Sequence, residues 1–224
     1  MTTETADLIE IDVISDVMCP WCYIGKRRLE RALAMVPDVA VDIRWRPFQL
    51  DHTIPENGMD RKQYLRNKFG SDEQAAQVYG PVREAGKDEQ IPFEFDKITV
   101  SPNTLNAHRI IRWAMAEGVQ DAAVERLFQL YFIEGANLTD KTVLADAAVA
   151  AGLERAVVER LLESEADMAE TQAEIAQAQQ MGVTGVPAFI IGSRYAVMGA
   201  REPEAIAQAI AEVVKERSAP AGTA

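Results

Sequence analysis

Ile9, Ile11 and Val13 alternate with Glu10 and Asp12, a period of two that predicts a strand running into Ser15 and Asp16. From Cys22 to Met35 the period changes. Ile24, Leu29, Leu33 and Val36 can share one helical face, while Lys26, Arg27, Arg28 and Arg31 are assigned to water. Val39, Val41, Ile43 and Trp45 then alternate with Ala40, Asp42, Arg44 and Arg46, which predicts a second half-buried strand. A right-handed crossover makes the two strands of this β-α-β unit parallel, and the polar alternate face of the second puts it at a sheet edge.

After a loop from Pro47 to Gly58 the chain reads as a helical block without strands. Arg61 to Phe69 and Glu73 to Tyr79 are predicted helices, and Pro81, Gly86, Pro92 and Pro102 punctuate a less regular connection. Leu105, His108, Ile111 and Met115, and then Val124, Leu127, Phe128 and Tyr131, recur at spacings of three and four. Further helices are predicted from Thr139-Asp140 through Ala151 and from Glu154 to Glu163. A long helix follows from Ser164 through Gln180, closed by Gly182 as a left-handed cap. Within Gly185–Ile191 comes a strand that begins at Pro187, followed by a Gly192-Ser193 turn, a short strand from Tyr195 to Met198 and a closing helix from about Glu202 or Pro203 to Arg217. Residues 1–7 and 218–224 are small or polar and are expected to fray.

The chemistry sits at the join between the first strand and helix. Cys19 and Cys22 are the only cysteines among 224 residues, and in Cys19-Pro20-Trp21-Cys22 they stand one helical turn apart. Pro20 fits the first helical position, where its missing N–H costs nothing and its fixed φ is already helical. That leaves Cys19 at the cap, where free N–H groups and the helix dipole favour an anion, so Cys19 is assigned as the nucleophile and expected to be acidic and accessible to solvent. Cys22 is placed to attack a mixed disulfide on Cys19 and is assigned as the resolving thiol. Pro20 and Trp21 support the site by setting helix geometry and the surroundings of the sulfurs.

Two plainer readings of the pair fail on chemistry. A zinc site needs about four ligands, and beyond the two cysteines only His52 and His108 are on offer, without the close histidine spacing of a finger. No metal is therefore assigned. A purely structural disulfide between residues three apart closes too small a loop to stabilise much. His108 lies on an apolar stripe and is expected to be buried and hydrogen-bonded, and His52 lies in a loop, so neither receives a role. The Lys26–Arg31 basic flank is either a solvated helix face or a modest aid to the Cys19 thiolate.

Length allows one large domain or a core domain carrying an insertion. The net charge of −12 disfavours a nucleic-acid or anionic-membrane surface. There is no apolar run of about 18 residues, and the first residues lack the basic start and apolar stretch of a secretory signal, so a cytoplasmic location is expected. In that reducing compartment a paired CxxC is catalytic rather than structural.

A β-α-β unit with CxxC opening its helix, followed much later by helix, Val-Pro strand start, hairpin and helix, resembles the thioredoxin fold split by a large all-helical insertion. The resemblance is to the DsbA-like family. More narrowly, Ser15-Asp16-Val17-Met18-Cys19-Pro20-Trp21-Cys22, Ser101-Pro102-Asn103-Thr104 with Ala107-His108-Arg109, and Gly182-Val183-Thr184-Gly185-Val186-Pro187 look like its FrnE branch of dithiol-disulfide oxidoreductases or isomerases. It implies an α/β chain in three parts. Residues 8–48 form the N-terminal half of the fold, 49–163 the helical insertion and 164–217 the C-terminal half.

By itself Pro187 reads as a trans proline at a strand start. The resemblance implies a cis bond beside the thiols, with the Val186 backbone offered to an extended peptide or to glutathione. It also implies a disulfide or dithiol substrate, protein or small molecule, with glutathione as a candidate co-substrate and no tightly bound cofactor beyond the Cys19–Cys22 couple. Val13 occupies the position where many thioredoxins carry a buried acid, which leaves the proton path to Cys22 unassigned. Two rivals stand beside thiol–disulfide exchange. One is a glutathione-dependent isomerase or transferase of the 2-hydroxychromene-2-carboxylate isomerase or kappa-class type; the other is a non-catalytic peptide-binding chaperone. The client, the direction of electron flow and the oligomeric state are not written in the chain.

Overall fold

A computed structural model describes residues 8–218. The expected fraying of residues 1–7 and 219–224 falls outside the described residues; Ser218, counted with that tail, instead closes the last helix.

Strand β1 (Ile9–Ser15) buries Ile9, Ile11 and Val13 as its period of two requires. Helix α1 (Pro20–Met35) follows, then strand β2 (Val41–Pro47), parallel to β1 with Ile9 opposite Val41 and Val13 opposite Trp45. Residues far along the chain complete the sheet: β5 (Ala188–Ile191) runs antiparallel to β1, and β6 (Tyr195–Met198) closes a hairpin on β5. The order β2-β1-β5-β6 puts β2 at an edge. Gly192 and Ser193, at φ 58° and 57°, supply the two left-handed residues of the hairpin turn. Helices α1 and α9 (Pro203–Ser218) cover one face through Leu29, Ile206 and Ile210. Helix α8 (Met168–Gln180) covers the other, where Ala178 meets Ile14 and Ala188.

Between β2 and α8 lie helices α2 (Arg61–Phe69), α3 (Asp72–Asp88), α4 (Leu105–Ala116), α5 (Gln120–Gln129), α6 (Lys141–Ala151) and α7 (Arg155–Leu162). Three expectations are corrected here. The block is not purely helical: β3 (Met59–Asp60) pairs with β4 (Val100–Ser101), a bridge too short to leave a period in the sequence. Pro81 and Gly86 do not interrupt α3. Pro81 faces solvent inside it, while Gly86 is buried against Phe93, where a Cβ would lie 2.4 Å from the ring. Finally, the helix expected from Ser164 begins only at Met168. The preceding carbonyls of Leu161, Ser164 and Ala166 accept hydrogen bonds from the buried guanidinium of Arg109 at 2.6–2.8 Å, and Asp167 turns left-handed at φ 58°. With those carbonyls engaged and Asp167 turned, the segment is a turn and not a helical one.

Candidate active site

Cys19 is the N-cap of α1 and Pro20 its first residue. The cap carries no side-chain hydrogen bond. A tight turn feeds it: the Cys19 N–H donates to the Asp16 carbonyl at 3.0 Å and the Cys22 N–H to the Cys19 carbonyl at 3.0 Å. Both thiols are free. The Val186–Pro187 bond is cis, the isomer implied by the resemblance, and the Cys19 Sγ lies 3.6 Å from the Val186 carbonyl oxygen. The first strand-helix junction and the entry to β5 thus meet at the sulfurs.

The two thiols differ in surroundings. Burial, reinforced by the hydrogen bond and field of Cys19, holds the Cys22 thiol well above the ordinary cysteine range. Contacts from the Ser15 hydroxyl and the Asp16 backbone offset this only in part. Cys22 is therefore a protonated thiol at neutral pH, suited to wait. Cys19 is 4% exposed and Cys22 1%. This corrects the expectation of an openly accessible attacker: the leading cysteine is shielded, with the Val186 carbonyl against its sulfur and half-buried Pro20, Trp21 and Val186 around it.

The basic flank of α1 is corrected as well. Lys26 and Arg28 do not face water; they are 2% and 7% exposed. Lys26 reaches Glu30, Asp121 at 3.1 Å and Glu125 at 3.2 Å, and Arg27 joins Glu125 at 2.9 Å. Arg28 binds Glu89 at 2.9 Å, Glu202 at 2.9 Å and the Ala200 carbonyl at 2.6 Å, while the exposed Arg31 also reaches Glu89 at 3.0 Å. These charges are neutralised by carboxylates from distant segments, so they fasten α1 to the insertion and to the C-terminal half instead of bathing Cys19 in positive field.

Gly25 is a site residue that periodicity does not reveal. A Cβ there would lie 2.8 Å from Pro187 Cγ and 3.2 Å from Phe189 Cζ, and a proline ring cannot swing aside. Gly25→Ala gains roughly 1 kcal/mol of helix propensity but forces overpacking that costs about 1–3 kcal/mol. The expected result is a small change in thermal midpoint with a several-fold loss of exchange rate, because the Pro187 segment moves off Cys19. An unchanged rate would show that the close approach serves packing alone.

Asp16 and His108 are the other pair not assigned from sequence. His108 is 3% exposed and hydrogen-bonded, as expected of it, but its partner is Asp16, three residues before Cys19. His52, by contrast, lines an open groove with Gln49 and Asn103.

A sheet built from both ends of the chain, a pair of free thiols at the first helix and a Val-Pro segment against them define a thioredoxin-fold protein. The chain belongs to the DSBA-like thioredoxin domain family, whose model matches residues 10–211. Uncharacterized protein YwbO of Bacillus subtilis is 26% identical over 215 residues, spanning 93% of this chain and 99% of that one. A probable DsbA oxidoreductase from Streptomyces coelicolor superposes with a TM-score of 0.86 at 28% identity, over 96% of this chain and 94% of that one. Cytosolic disulfide reductase DsbM from Pseudomonas aeruginosa, solved with GSH, shares the fold at a TM-score of 0.63 and 16% identity, over 92% and 99% of the two chains. Among the described residues no helix is long and apolar enough to cross a membrane.

Proposed function

We propose that this protein catalyses thiol–disulfide exchange, with Cys19 as attacking sulfur and Cys22 as resolving thiol, in the manner of the FrnE-type branch that its motifs resemble. The observation that carries the reading is the pair itself: two free, buried thiols at a helix N-terminus, one at the cap with its sulfur 3.6 Å from the Val186 carbonyl oxygen, the other held protonated by its burial. Cys19 thiolate attacks a substrate disulfide, one half leaves as thiolate and takes its proton from water, and a mixed disulfide remains. Cys22 then attacks Cys19, the Cys19–Cys22 disulfide forms, and the second half departs carrying the proton. An extended peptide pairing with the Gly185–Val186 backbone would displace the Val186 carbonyl from the sulfur and open the approach that the resting state restricts.

Glutathione is proposed as a co-substrate, in keeping with the DsbM structure solved with it. A cytoplasmic setting is proposed, since thiols are kept reduced there and a CxxC pair in that compartment is catalytic rather than structural. The isomerase or transferase rival gives Cys22 no task, and the chaperone rival gives neither thiol one.

Cys22→Ala tests both the role and the access. In the folded variant Cys19 is expected to capture an aromatic disulfide or a disulfide-bonded protein as a mixed disulfide stable to isolation, identified by mass. Failure of Cys19 to react in the native state, while it reacts on unfolding, would overturn the reading. Full turnover of a glutathione-dependent isomerisation by the same variant would favour the rival.

A further inference from the structure

Asp16 and His108 come from separate parts of the chain, the end of β1 and the first half of α4. Both are withdrawn from solvent, at 0% and 3% exposure, with His108 Nε2 3.3 Å from Asp16 Oδ1. The second carboxylate oxygen accepts from the Leu50 N–H at 2.8 Å, and Oδ1 also faces the Met18 N–H at 3.5 Å. A buried carboxylate is costly unless such partners satisfy it. Here they come from the insertion, from the loop after β2 and from the turn that enters the cysteine motif.

The main chain of Asp16 shapes the turn that carries both cysteines. Its carbonyl accepts the Cys19 N–H at 3.0 Å, and the Cys19 carbonyl in turn accepts the Cys22 N–H at 3.0 Å. The side chain of one residue is therefore held by the helical insertion while its backbone shapes the dithiol.

We propose that the His108–Asp16 contact is a positioning device through which the insertion sets how fast Cys22 resolves a mixed disulfide. The inference rests on the exchange reading above. In the step concerned, Cys22 loses its proton as its sulfur bonds to Cys19, and the departing group leaves with two electrons of the broken S–S bond and one proton. The two sulfurs must be aligned at that moment, the turn held by the Asp16 carbonyl places them, and His108 is the insertion's grip on Asp16.

The measurement is release of glutathione from the Cys19 mixed disulfide, prepared with oxidised glutathione and followed by rapid quench and mass. His108→Leu, which deletes the donor, is expected to slow release at least tenfold. His108→Gln, which retains an amide donor of similar reach, is expected to return the rate to within threefold of the parent. Gln120→Leu is the structural control. Gln120 is another buried link between the insertion and the sheet, bonded to both backbone groups of Trp45 at 2.8 and 3.1 Å, and its loss is expected to lower thermal stability without slowing release.

Release by folded His108→Leu within twofold of the parent overturns the proposal, as does equal slowing by Gln120→Leu. If His108→Leu does not fold, Asp16→Asn takes its place with the same expectation. Should the parent form no glutathione adduct, the exchange reading suffers separately. The positioning role is then decided by Cys22 alkylation in the Cys19→Ser background, where His108→Leu is expected to slow iodoacetamide at least threefold and an unchanged rate overturns it.

Discussion

Cys19→Ser is expected to reduce disulfide exchange by at least about a thousandfold, to the level of solution thiols alone. A serine hydroxyl is not ionised near neutrality and cannot form a disulfide, so both the attack and the covalent intermediate vanish together. The substitution exchanges sulfur for a smaller oxygen at a cap position that tolerates serine well, so the fold should survive with little change in thermal midpoint. Cys22 is not expected to substitute for the lost nucleophile. It is almost wholly enclosed, and burial keeps its thiol protonated. Reduction of a model disulfide protein by reduced enzyme provides the measurement. Turnover that persists in Cys19→Ser would remove the attacking role, and turnover that persists in the double Cys19→Ser, Cys22→Ala variant would remove thiol chemistry altogether.

Arg28→Met is expected to lower stability by about 3 kcal/mol, the lower end of the 3–5 kcal/mol found on breaking a buried ion pair. Glu89 has a side chain only 1% exposed and would keep just the solvent-facing Arg31, while the Ala200 carbonyl would lose its donor. The contribution of Glu202 is discounted because that carboxylate is largely in water. For a chain of this size the loss corresponds to a fall of roughly 6–12 °C in thermal midpoint. Since Arg28 ties the helix carrying the dithiol to both the insertion and the C-terminal half, the loss should appear in whole-chain unfolding. A shift below 2 °C would mean that the ion pair only offsets its own desolvation.

The strands and the active-site helix were legible because their signals are local. Ile9, Ile11 and Val13 must alternate to fill one side of a sheet, and Pro20 after Cys19 is a helix start whatever surrounds it. The cysteine pair was legible for the same reason, its spacing being one turn of that helix. What misled was a reading of one element in isolation. Lys26 and Arg28 look solvated on a helical projection, and only the arrival of Glu89, Asp121 and Glu125 makes their burial affordable. Pro81 looks like a helix end, yet it sits on the solvent side of α3, inside the helix. Gly86 looks like a break and is a packing contact.

The chain alone determined where the dithiol lies, which end of a helix it caps and which kinds of element flank it, because those follow from spacing, side-chain type and backbone preference over a few residues. Tertiary structure decided how covered Cys19 is, that Val186 lies against its sulfur, that Gly25 must lack a Cβ, and that Asp16 meets His108. Each of these joins residues tens to more than a hundred positions apart. Their distance in space is set by how sheet, helices and insertion close on one another, a relation that no local period encodes.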